Sequence, residues 1–70
     1  MANFDAMKYK GTINSGSAVP SSGYKAGWVY KIINEGTYVG QQCEPGDLLV
    51  AIQNANQYQV TIIPEHWTVI

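Results

Sequence analysis

The sequence has one cysteine, one histidine, no arginine and no long apolar run, and each shortage excludes something. A lone Cys43 cannot form an internal disulfide, and with His66 as the only imidazole a Cys/His zinc set lacks ligands. Four lysines against five acids leave a net charge of −1. A nucleic-acid reader needs a basic stripe, and usually arginine forks for phosphate or guanine. Neither is present. The longest apolar stretch, 48–52, falls far short of the roughly 20 residues that span a bilayer. The opening MANFDAMKYK lacks the basic start and apolar core of a secretory signal, so synthesis in the cytoplasm, with exit only by lysis, is the expectation.

What is present is β-forming. A chain of 70 residues makes one domain with a thin stability margin. With disulfide and metal excluded, oligomerisation is the remaining way to gain stability. Residues 1–6 carry little pattern and read as a flexible lead-in, and 7–70 as a single β domain. Met7 to Ile13 alternates as a half-exposed edge strand, its lysines discouraging stray pairing and Gly11 marking a bulge. Asn14–Gly27, in which nine of fourteen residues are Ser, Gly, Asn or Pro, excludes a helix or long strand. Within it Val19-Pro20 suits a short extended anchor. Trp28 to Ile33 is apolar on both faces, which places it centrally or between the core and another subunit.

Glu44-Pro45-Gly46-Asp47 reads as a type II turn, with proline at the second position, glycine at the third and Asp47 closing it. It launches the strand 48–52. Gln53–Gln57 has the composition of a hairpin loop, and Tyr58–Ile63 alternates as a strand with Tyr58, Val60 and Ile62 inward. After Pro64-Glu65 a final strand covers 66–70. The fold expected is all-β: about five to seven short antiparallel strands in a small barrel or sandwich. The expected core is Val29 or Tyr30, Leu48, Val50, Val60 and Trp67. The apolar end at Ile70 suggests a domain cut from a longer chain.

Little in the chain promises chemistry. Ser17 or Ser22 with His66 and Asp47 has the composition of a hydrolytic triad but no nucleophile elbow, and polar loop serines with a surface histidine account for the residues. Glu44 and Asp47 are turn acids that bond local backbone, and Cys43 is a small buried hydrophobe. No glycine-rich phosphate loop occurs. No catalytic residue, metal ligand or cofactor is assigned. Eight aromatics exceed what so small a core absorbs. Tyr24, Trp28 and Tyr38 are the candidates for an interface or for stacking on a glycan.

Six segments taken in order are Lys10-Gly11-Thr12-Ile13, Val19-Pro20, Ala26 to Ile32, Gly36 to Gln41, Cys43 to Leu49 and Trp67 to Ile70. Together they resemble a small β module of bacteriophage and prophage tail fibres and related tail proteins. The resemblance covers 8–70. It departs at Trp28, where such modules often carry a polar residue, and across the amide-rich insert and 58–63. It implies a non-enzymatic virion structural module, acting in assembly or host attachment and made in the bacterial cytoplasm. Implied partners are further copies of the chain (a homotrimer first, a dimer second), other tail proteins and a host-surface glycan. Two alternatives stand beside it: a carbohydrate- or receptor-binding module using exposed aromatics, and a non-catalytic fragment of a tail-associated hydrolase.

Overall fold

The computed structural model describes residues 7–70, so the lead-in expected at 1–6 lies outside the described residues. The architecture is all-β. Its strands are β1 (Lys8–Ile13), β2 (Trp28–Ile32), β3 (Gly36–Tyr38), β4 (Gln41–Cys43), β5 (Leu48–Ala51) and β6 (Trp67–Val69). The only helical pieces among the described residues are single 3-10 turns at Gly16–Ala18 and Pro64–His66. Four strands form one sheet in the order β1-β2-β5-β6, while β3 and β4 form a separate two-stranded ribbon. The described strands form no closed barrel.

The density of β-branched and aromatic residues at 28–32 makes β2 a strand, and it lies between β1 and β5. β1 is an edge, and its register slips between Tyr9 and Gly11, a bulge that lets the lysine-bearing strand twist away from further pairing. Its pairing with β2 is parallel, which corrects the all-antiparallel expectation. Parallel neighbours need a crossover of about a dozen residues or more. The loop-like stretch 14–27 is that crossover, and its 3-10 turn and buried Val19 hold it against the core.

The core lies on one face of the four-stranded sheet. Ile13, Ile32, Leu49, Ala51 and Trp67 meet Val19 and Tyr24 from the crossover and Tyr38 and Cys43 from the ribbon. Of the expected core residues, Val29, Val50 and Trp67 are buried, and Tyr30 and Leu48 are partly covered. The stretch 58–63 is a correction. It forms no strand, and Tyr58 and Val60 are 86% and 82% exposed rather than inward. The segment 53–63 is one irregular connection, not the loop and second arm of a hairpin.

Two tight turns set the ribbon and β5. Val39 and Gly40, at φ +45° and +80°, join β3 to β4 in the doubly positive geometry of a type I′ hairpin. At the next turn Asp47 N–H donates to Glu44 O at 3.1 Å, and Glu44 N–H donates to Asp47 Oδ2 at 2.9 Å. Gly46 sits at φ +99°, the sign that the third position of a type II turn requires. The turn is also tied to β2: Gly46 N–H donates to Ile32 O and Ile32 N–H to Asp47 O, both at 2.8 Å. A Cβ on Gly46 would meet nothing within 4 Å, so its cost is purely conformational. Gly46→Ala is therefore expected to cost about 1–2 kcal/mol. That lowers the melting temperature by roughly 5–15 °C. An unchanged melting temperature would contradict this backbone assignment.

Candidate functional site

The sequence-predicted contact residues do not come together on the surface. Tyr24 and Tyr38 are buried, which corrects their assignment as exposed interface or glycan contacts. Each can be buried because its hydroxyl has a partner. Tyr38 Oη donates to Asn34 O at 2.9 Å, and Tyr24 Oη bonds to His66 Nδ1 at 2.6 Å. Trp28 is half-buried, and Lys10 Nζ lies 4.0 Å above its ring, so a cation already occupies the face a sugar would use. Pro45, Gly46 and Asp47 lie in the turn described above, on the far side of β2 from β1.

His66 is also a correction. It is only 5% exposed, not a surface histidine, and among the described residues its side chain hydrogen-bonds to Tyr24. Ser17 bonds Ser15 within the 3-10 turn instead of meeting a base. Among the described residues no group of three or more His, Cys, Asp or Glu side chains is placed to hold a metal ion. No described helix is long and apolar enough to cross a membrane.

Cys43 is fully buried on β4. Burial pushes its thiol above the ordinary value of 9.0, and the carboxylate of Asp47 adds to the effect. The folded protein therefore keeps its proton where the unfolded chain ionises. Stability tied to Cys43 is complete below about pH 9 and is lost as the pH rises beyond it. Iodoacetamide at about pH 8 is expected to leave native Cys43 unmodified and to alkylate it fully in urea. Equal rates in both conditions would contradict its burial.

The surface that the structure does assemble is the second face of the four-stranded sheet. Cross-strand partners share a face, so the register aligns Tyr9, Val29, Val50 and Thr68 in one row. The next row is Thr12, Lys31, Leu48 and Ile70, with Leu48 and Ile70 exchanging both backbone hydrogen bonds at 2.7 and 2.9 Å. Val29 and Val50 are buried, yet both lie outside the main core cluster, because they belong to this opposite face. Met7, Val50, Thr68 and Ile70 line a shallow open groove there. On this face Tyr9 and Ile70 are 60% and 67% exposed.

Sequence reasoning singled out none of these outer residues as contacts, although the two-sided apolar pattern of β2 was the signal that such a face exists. Comparison with protein-family models, with curated proteins and with solved structures found no match.

Proposed function

We propose that this chain is a non-enzymatic structural module of a phage or prophage virion, from a tail fibre or tail-associated protein. It works by self-association, as a homotrimer, in assembly or host attachment. The observation that carries the assembly reading is the outer sheet face, where Met7, Tyr9, Leu48 and Ile70 are left partly or largely uncovered around the buried Val29 and Val50. Soluble monomers rarely leave contiguous apolar surface beyond a few hundred Å². Closed symmetric association is the usual way to cover it. The virion assignment rests on the resemblance of the six ordered segments to tail-protein modules. The buried ring of side chains from the ribbon and the crossover, facing one side of the main sheet, supports a small sandwich as the finer description of the fold.

The exposed-aromatic reading of glycan binding loses two of its three residues to the core, since Tyr24 and Tyr38 are buried. Mass spectrometry of phage-like particles purified from the strain that carries the gene tests the proposal. Peptides of this chain are expected to co-sediment with tail proteins. Their recovery only from the soluble cell fraction, with tails present and this chain absent from them, would overturn it.

A further inference from the structure

The outer-face groove between Met7, Val50, Thr68 and Ile70 measures about 270 Å³ and has no charged group on its walls. Small-molecule sites run to roughly 300–1,000 Å³ and carry a few convergent polar groups. Here Thr68 supplies the only side-chain hydroxyl, so the opening suits one apolar side chain with a polar tip. Tyrosine has that form. Tyr9 stands on the same face, 60% exposed, at the other end of the row Tyr9, Val29, Val50, Thr68. It is three strand spacings, about 14 Å, from Thr68, and it does not line the groove of its own chain.

The two edges of the sheet differ in a way that favours unlike contact. β1 carries Lys8 and Lys10, so two β1 edges brought together repel. β6 carries no charge. Ile70 exchanges both backbone hydrogen bonds with Leu48, so by the alternation of an antiparallel ladder Val69 turns its N–H and C=O away from β5, toward the open side. A protruding side chain and a recess on different parts of one chain make a head-to-tail contact, which closes into a ring when the rotation fits. Resting on the reading of the outer face as an assembly surface, we infer that Tyr9 of each copy seats in the Met7, Val50, Thr68 and Ile70 groove of the next. Its ring lies against Val50 and Ile70, and its hydroxyl meets Thr68 Oγ1. Each copy gives one such contact and receives one, and three of them close the trimer. The β1 edge of one sheet then faces the β6 edge of its neighbour around the axis.

Photo-cross-linking of the full chain tests this contact. Replacing Tyr9 with p-benzoylphenylalanine keeps an aromatic side chain at an exposed position and leaves the core untouched. Irradiation at micromolar concentration is expected to join that side chain to peptides holding Met7, Val50, Thr68 or Ile70 of a different copy, as shown by mixing light- and heavy-nitrogen chains. The covalent ladder is expected to reach trimers, whereas reciprocal exchange between two copies would stop at dimers. Tyr9→Phe, which keeps the ring, should remain a trimer, and Tyr9→Ala should scatter as a folded monomer. A natural chain that is itself monomeric removes the assembly reading and this contact with it. A trimer whose cross-links fall outside the groove, a ladder that ends at dimers, or a trimeric Tyr9→Ala overturns the Tyr9 contact alone.

Discussion

Leu49→Ala is expected to remove about 2–5 kcal/mol of stability, the cost of a cavity at a fully packed leucine. Leu49 is completely buried at the middle of β5, paired with Tyr30 on one side and Val69 on the other. It projects into the one cluster that joins the four-stranded sheet to the crossover and the ribbon. A 70-residue domain at about 0.05–0.15 kcal/mol per residue holds only about 4–10 kcal/mol in all. The variant should therefore lose a large share of the stability the fold has. Val60→Ala is the contrast. Its exposed side chain should change stability by no more than about 0.5 kcal/mol. Urea unfolding of the two variants reads both values, and equal midpoints would contradict the placement of the core.

Gly16→Ala is expected to be nearly as damaging, for a different reason. A Cβ on Gly16 would fall onto the carbonyl oxygen of Thr37 and lie 3.2 Å from the carbonyl carbon, and backbone atoms cannot swing aside as a flexible side chain can. This contact is where the 3-10 turn of the crossover rests on β3. Separating the two would loosen the ribbon that supplies Tyr38 and Cys43 to the core. An overpacking cost of about 2–3 kcal/mol lowers the melting temperature by roughly 10–20 °C. A melting temperature within a degree or two of the natural chain would show that the crossover does not lie against β3.

The central strands of the main sheet were legible because β-branched and aromatic residues crowd into 28–32, an unbroken apolar run fills 48–51, and turn residues bound both. Gly11 likewise announced the bulge in β1. The parallel pairing was not read, though the fourteen-residue Asn14–Gly27 connection is the length that a crossover needs and a hairpin does not. Tyr58–Ile63 failed because a hairpin through 53–57 would have to pair it with β5. Both sides of β5 are already taken, by β2 and β6, and the side chain of Gln59 bonds to backbone oxygens of Ser21 and Thr61 instead.

Tyr24 and Tyr38 were read as surface because large polar-tipped rings often lie there. In a core between a four-stranded sheet and a small ribbon they supply volume that few aliphatic residues could, and buried partners satisfy their hydroxyls. For the candidate site, the two-sided character of β2 showed that a second apolar face exists. Which residues form it depends on register across β1, β5 and β6, which no single strand specifies.

Light scattering of the 70-residue chain at micromolar concentration tests the central claim that the outer sheet face is an assembly surface. The natural chain is expected to scatter as a trimer. Tyr9→Lys and Ile70→Lys place charge at exposed positions on that face and leave the core untouched, so both should scatter as folded monomers with an unchanged circular dichroism spectrum. A natural chain that is monodisperse and monomeric, or a trimer that both lysine variants leave intact, would contradict the account.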